Sequence, residues 1–346
     1  MSAGTAPTPP KLPAGLHYVT DSQPGISRRR LRGQFAYFDS EGKRLRDTVE
    51  IRRLERLAIP PAYTDVWICT DPQGHLQAVG RDARGRKQYR YHPRWREVRD
   101  SSKYERLLEF GRALPRLRAS VDEHLRLRAL SQDKVLATVV ALLDATLIRV
   151  GNPQYSRDNH SFGLTTLRNR HVEIQGNALR FRFRGKSGIE HQLSLNDPRL
   201  ARIVRRCKEL PGQQLFQYLD DEGERRSVSS TEINRYLQHH SGDSFTAKDY
   251  RTWAGTTLAL QYLDEATNTN ESNPQRVLVE VIKQVAEQLG NTPAICRKCY
   301  IHPAVIEAFS DGRLVQRPQT RRRKGLSAEE SRLLRFLESL QDRPKH

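Results

Sequence analysis

Near its end the chain reads Cys296-Arg-Lys-Cys-Tyr-Ile-His-Pro303, a tyrosine set among cations. Tyr300 has the makings of a nucleophile. A free phenol titrates near pH 10, so only about a thousandth of it is phenolate at neutral pH. Attack on a phosphodiester therefore needs cations that favour the phenolate, neutralise phosphate oxygens and help the leaving oxygen depart. Arg149 in Ile-Arg-Val-Gly, Lys186 in Gly-Lys-Ser-Gly and Arg251 in Lys-Asp-Tyr-Arg-Thr-Trp are candidates for those cations. Singly each has a plainer reading, such as a charge at a helix C-terminus for Arg149 or a turn lysine for Lys186. Cys296 and Cys299 form a lone C-x-x-C with no second pair after it, so they read as two small helix residues, and neither a metal nor a cofactor is expected.

These residues need elements to hold them. Gly290 and Asn291 read as a helix stop, and Thr292 and Pro293 as the cap and first residue of the helix that carries Tyr300. Upstream, apolar periodicity predicts helices over 104–114, 115–127 and 133–150, with Pro115 as a helix start, Gly151 as a stop and Arg149 at the end of the third. Residues 171–195 alternate around Gly176-Asn177 and Lys186-Ser187, which predicts a three-stranded antiparallel meander with Lys186 at a hairpin tip. On its middle strand Leu179, Phe181 and Phe183 share one face and Arg180, Arg182 and Arg184 the other. Helices resume at Asp197, at the capping boxes Ser229-x-x-Glu232 and Thr246-x-x-Asp249, at Asn273-Pro274, and at Ser327-x-x-Glu330. Residues 17–98 instead show short segments broken by turns, at 35–38, 66–70 and 76–79, with a helical insert at 51–57. The expected class is α+β: a disordered tail over 1–16, a small β-rich domain over 17–98, and a mostly helical domain with a three-stranded antiparallel sheet over 99–346.

The 346 residues carry 59 Lys and Arg against 40 Asp and Glu, a net charge of +19. Such an excess attracts a polyanion through phosphate contacts and counterion release, which makes nucleic acid the first candidate partner. No run approaches the roughly 18 apolar residues of a spanning helix, and the Ala-, Pro- and Thr-rich N-terminus lacks the layout of a signal peptide. A soluble cytoplasmic protein, associated with the nucleoid, is expected. Residues 80–93 interleave Arg81, Arg84 and Lys87 with Gln88, Tyr89 and Tyr91, a pattern suited to holding phosphates while offering amide and aromatic groups to bases. Arg28-Arg-Arg30 and Arg321-Arg-Arg-Lys324 read as solvated charge.

The order and context of Arg149, Lys186, Arg251, Asn291 and Tyr300, with Cys-Arg-Lys-Cys-Tyr-Ile-His-Pro, resemble type IB DNA topoisomerases of the bacterial, poxvirus-like branch, and residues 80–91 resemble that branch's DNA-contacting segment. The resemblance implies a monomeric two-domain clamp on duplex DNA. Tyr300 would form a 3′-phosphotyrosyl link and free a 5′-hydroxyl, with Arg149 and Arg251 on the non-bridging oxygens and Lys186 as proton donor to the leaving oxygen. Asn291 departs from the commoner histidine; its amide can donate a hydrogen bond but cannot act as an acid or base near neutrality. Relaxation of supercoils of both signs without ATP or metal is the expected activity. A tyrosine recombinase or integrase is the alternative, disfavoured because Lys248-Asp-Tyr250 stands where recombinases usually carry a histidine before the second arginine.

Overall fold

The computed structural model describes residues 12–267, 273–314 and 321–341, with the side chains of 96–103 and of residue 155 outside that description. Two compact units divide the chain, Met1–Glu105 and Arg106–His346. The first is built on an antiparallel sheet of β1 (Ile26–Leu31), β2 (Gln34–Phe38), β3 (Thr64–Ile68), β4 (Leu76–Arg81) and β5 (Lys87–Tyr91), in the order β2-β1-β3-β4-β5. Helix α1 (Thr48–Arg56), capped by Asp47, turns Leu54 into a core with Ile26, Tyr37, Val66, Ile68 and Ala78. In this unit β1 and β5 stand outside the strand segments expected from the sequence, and on β1 Arg28-Arg-Arg30 is not simply solvated charge. Arg28 donates to the carbonyls of Ile59 at 2.7 Å, Pro60 at 2.8 Å and Tyr63 at 3.1 Å, and its guanidinium lies 4.1 Å from the Phe35 ring centroid. The carbonyls and the ring replace the water that a half-buried guanidinium loses.

Helix α2 (Pro93–Leu125) runs straight through Pro115, where two helices were expected. Leu107, Phe110, Leu114, Leu117, Val121 and Leu125 are all buried and recur at three- and four-residue spacing across the proline. Burying each such side chain contributes about 1.5–3 kcal/mol, which together outweighs the roughly 3 kcal/mol cost of an interior proline. After α2 come α3 (Gln132–Thr146), α4 (Pro153–Asp158) and the expected meander of β6 (Val172–Gln175), β7 (Ala178–Arg184) and β8 (Glu190–Asn196). Leu179, Phe181 and Phe183 are buried and the three arginines of β7 exposed, as the alternation requires. Helix α5 (Pro198–Glu209) packs on this sheet, the hairpin of β9 (Gln217–Leu219) and β10 (Arg225–Ser227) follows, and then α6 (Ser230–Ser241) and α7 (Ala247–Thr267). The rest is α8 (Pro274–Gln288), α9 (Pro293–Cys299), α10 (Pro303–Ser310) and α11 (Ala328–Gln341). The expected α+β class therefore holds, and the core of the second unit joins the meander to α2, α3, α7, α8 and α11.

Helix α3 ends four residues before the expected position. Leu147 takes a left-handed conformation, φ 56°, and residues 147–150 are non-helical. Tertiary bonds hold the segment in this path: Leu164 N–H donates to the Arg149 carbonyl at 2.8 Å and Thr165 N–H to the Val150 carbonyl at 2.6 Å. Gly163 permits this close pairing, because a Cβ there would stand 2.5 Å from the Arg149 carbonyl oxygen. Arg149 thus lies on a braced non-helical segment, not on a helix terminus.

Candidate active site

Helix α8 ends in a Schellman motif. Gly290, at φ 56°, donates its N–H to the Glu287 carbonyl at 3.0 Å, and Asn291 N–H reaches the Ala286 carbonyl at 2.8 Å. The chain turns at once into α9, with Thr292 as its N-cap and Pro293 in its first turn, and Tyr300 is the residue that closes α9. This entry and exit follow the expectation drawn from Gly290-Asn-Thr-Pro293.

The backbone of Tyr300 is held by α7. A Cβ added at Gly255 would stand 2.8 Å from the Tyr300 carbonyl oxygen and 3.2 Å from its Cβ, so only glycine admits so near an approach. One residue on, the buried Thr256 hydroxyl shares its one hydrogen between the Thr252 carbonyl at 2.8 Å and the Tyr300 carbonyl at 3.2 Å, and accepts from His302 N–H at 3.2 Å. His302 in turn caps α10, its Nδ1 accepting from Ala304 N–H at 3.1 Å. Arg251 lies one helical turn before Gly255 on the same helix, so α7 positions a cation and the tyrosine together.

Arg251 is only 3% exposed. It donates to the Leu147 carbonyl at the end of α3 and, at 2.7 Å, to the Leu289 carbonyl at the end of α8, and its guanidinium stands 5.3 Å from the Tyr300 ring centroid. Arg149 donates to the Gly290 carbonyl at 3.0 Å and to Asn291 Oδ1. Burial pushes the pKa of both guanidiniums down. Arg251 adds to the effect on Arg149, while the Tyr300 phenol opposes it at both. Neither arginine has a carboxylate partner among the described residues. Arg251 Nε and Asn291 Nδ2 are buried donors with no partner among those residues. Two cations near a phenol, with donors left over, form a site that gains from an added anion. Cys296 is buried nearby, its thiol pushed up to about 11 by burial with Arg251 opposing, and none of the four cysteines is in a disulfide.

Arg149, Arg251, Asn291 and Tyr300 therefore converge. Lys186 does not join them: it is exposed at the β7–β8 tip, in a bend closed by Gly185 N–H to the Ile189 carbonyl at 2.7 Å, and no hydrogen bond or ion pair ties its ammonium to the cluster among the described residues. Sequence reasoning missed His191, on β8 of the same hairpin. It sits in the inward register of Leu193 and Leu195, so a polar residue in an apolar alternation was the available signal. Its pKa is lowered by burial, then by Arg149 and Arg251.

In the first unit, the six candidates on β4, β5 and their turn divide between faces. Lys87, Tyr89 and Tyr91 alternate onto one side of β5, where Lys87 meets Asp21 at 2.5 Å and the two tyrosine rings stack with centroids 6.1 Å apart. Tyr89 is 48% exposed, whereas Tyr91 packs on Val19, Cys69, Leu76 and Val79. Gln88 falls on the other side, its amide held by Asp82 at 3.0 Å. Arg81 reaches Asp65 at 3.4 Å, and Arg84 is exposed in the turn.

Comparison with known proteins supplies the class. The family described as eukaryotic DNA topoisomerase I, catalytic core, matches residues 92–324, and the family described as bacterial DNA topoisomerase IB, N-terminal domain, matches residues 34–82. The first match alone spans more than half of the sequence. The chain is 29% identical over 295 residues to DNA topoisomerase 1B of Acanthamoeba polyphaga mimivirus, covering 83% of this chain and 88% of the relative. Over 270 residues it is 24% identical to DNA topoisomerase 1B of vaccinia virus strain Western Reserve, covering 75% and 81% respectively. It belongs to the type IB DNA topoisomerase family, the isomerases that change DNA topology.

Proposed function

We propose that this chain relaxes positive and negative supercoils in duplex DNA through a 3′-phosphotyrosyl intermediate, with no need for ATP or metal. Tyr300 Oη attacks the scissile phosphorus and its proton passes to water. The new O–P bond forms as the bond from phosphorus to the 5′-oxygen breaks, and Lys186 gives that oxygen its proton. Arg149 and Arg251 hold the non-bridging oxygens, and Asn291 donates through its unused Nδ2. The phosphodiester's energy is kept in the tyrosyl link, so the returning 5′-hydroxyl reseals the strand without a nucleotide.

The observation that carries this reading is the pair of arginines beside Tyr300, held by backbone carbonyls and not neutralised by any carboxylate among the described residues. Each preorganised donor of this kind contributes on the order of 3–4 kcal/mol to a charged transition state. Lys186 fits the proton-donor role as a long cation on an exposed hairpin tip. The exposed Arg81, Arg84, Lys87 and Tyr89, with the half-buried Gln88 and Tyr91, are assigned to DNA contact, and the protein to a monomeric clamp on nucleoid DNA in the cytoplasm.

The test is relaxation of negatively and positively supercoiled plasmid in EDTA without ATP. Wild type relaxes both, and Tyr300→Phe relaxes neither. Failure of the wild type, with covalent capture of a nicked oligonucleotide retained, would replace relaxation by strand exchange; full activity of Tyr300→Phe would displace the nucleophile.

A further inference from the structure

His191 pairs across the β-ladder with Phe183, and the two rings stack with centroids 4.9 Å apart and planes 10° apart. Its other neighbours are two glycines from distant parts of the chain. A Cβ at Gly185 would stand 2.5 Å from His191 Cδ2 and Nε2, and a Cβ at Gly290 2.5 Å from Cε1. Gly290 needs its positive φ for the helix stop, but Gly185 has φ −95°, a value open to any residue. The absent side chain at Gly185 therefore serves space alone, and the space is taken by the imidazole. Gly185 directly precedes Lys186, and Gly290 directly precedes Asn291.

We propose that His191 is a positioning residue, a wedge that seats the Lys186 hairpin against the Gly290-Asn291 turn and so fixes the point from which Lys186 delivers its proton. The inference rests on the reading of Lys186 as proton donor. Its physical basis is that the bond from Phe162 N–H to the Arg184 carbonyl, at 2.8 Å, holds β7 only up to the tip, and an unsupported tip beyond it leaves a long lysine free over several ångströms. A ring gripped by Phe183, Gly185 and Gly290 removes most of that freedom within one residue of the ammonium's own Cα. The charged groups facing His191 are Arg149 and Arg251 from outside the hairpin and Glu190 on its own strand. Burial first, and then the two guanidiniums, favour the neutral imidazole, so the wedge works by shape and stacking, not as an acid.

The experiment uses single-turnover covalent cleavage of two duplexes, one natural and one with sulfur replacing the bridging 5′-oxygen at the scissile phosphate. A thiolate leaves without being protonated near neutral pH, whereas an alkoxide does not. His191→Ala should slow cleavage of the natural duplex by about tenfold or more, the cost of a misplaced catalytic group. On the sulfur duplex it should approach wild type, as should Lys186→Ala, and the double variant should be no slower on the natural duplex than Lys186→Ala. Gly185→Ala, which keeps every catalytic side chain but displaces the ring, should behave as His191→Ala does. Equal slowing of both duplexes by His191→Ala, or losses that multiply in the double variant, would overturn the proposal. If Lys186→Ala itself gains nothing from sulfur, the proton-donor reading fails separately, and non-additivity of the two substitutions alone decides whether His191 seats the hairpin.

Discussion

Replacing Gly255 by alanine probes how tightly α7 fixes the proposed nucleophile. The added methyl would lie 2.8 Å from the Tyr300 carbonyl oxygen, 3.0 Å from Leu289 Cδ1 and 3.2 Å from Tyr300 Cβ, against ordinary contact beginning at 3.4 Å. Leu289 can adjust, but the backbone oxygen must withdraw by about 0.6 Å, and the Thr256 hydroxyl, already 3.2 Å from it and 2.8 Å from the Thr252 carbonyl, is left to Thr252. Two effects on stability oppose. Alanine gains about 1 kcal/mol of helix propensity over glycine, while overpacking costs about 1–3 kcal/mol, so the net destabilisation is at most about 2 kcal/mol. Catalysis has no such offset: a misplacement of about 1 Å can cost a hundredfold, and about 0.6 Å on that scale costs on the order of tenfold. Single-turnover formation of the protein–DNA adduct at saturating enzyme measures the rate, and urea unfolding measures the stability. The expected result is a folded protein with cleavage slowed about tenfold. Cleavage within twofold of wild type, with stability raised by the propensity gain, would show that Gly255 does not set the position of Tyr300.

Arg118 binds Asp144 at 2.8 and 2.9 Å and Glu330 at 2.7 and 2.8 Å, while Trp253 Nε1 donates to Glu330 at 3.1 Å, which ties α11 to α2, α3 and α7. Burial works to raise the Glu330 carboxyl, yet Arg118 holds it below its ordinary value. Arg118→Ala strands that carboxylate and should cost about 3 kcal/mol in urea unfolding at pH 7, with Glu330→Gln in the same background recovering part of it; a cost below about 1 kcal/mol would refute the network. His171 is 7% exposed, lies against Phe162 at 4.4 Å, and accepts from Arg168 N–H at 3.0 Å. Burial, then Arg170 and Arg168, push its pKa down to about 4. Between that value and the ordinary 6.5 the unfolded chain binds a proton that the folded chain excludes, so stability falls on acidification through this window, by up to about 3 kcal/mol from this residue. His171→Gln should flatten the loss between pH 6.5 and 4 relative to wild type; parallel curves would assign the acid loss elsewhere.

What the sequence revealed of this site was its local chemistry. Gly290-Asn-Thr-Pro293 stops one helix and starts another through hydrogen bonds that span a few residues, so its fold can be read without knowing what surrounds it. The meander was legible for a like reason, since a period of two separates Phe181 from Arg182 wherever the sheet lies. Pro115 and the end of α3 were misread because partners far along the chain decide them: a continuous buried stripe in one case, and residues 163–165 in the other. His191 and Thr256 were passed over because each acts on a residue more than 40 positions away, or through a glycine that looks like a turn residue.

The arginines join these two kinds of information. Their identity was plain in the sequence, but the manner of their holding was not. A buried arginine is usually anchored by a carboxylate, which orients it and also neutralises it. Here the anchors are the carbonyls of Leu147, Leu289 and Gly290, at the C-terminal ends of α3 and α8. A helix C-terminus carries only about half a negative charge, so it orients a guanidinium and leaves much of its field unspent. That arrangement requires helix α3 to stop at Leu147. An α3 running on to residue 150 would turn that carbonyl back into its own helix, taking from Arg251 one of its two anchors. The early stop that contradicted the periodicity is therefore what lets a cation be fixed beside Tyr300 while keeping its charge for a phosphate.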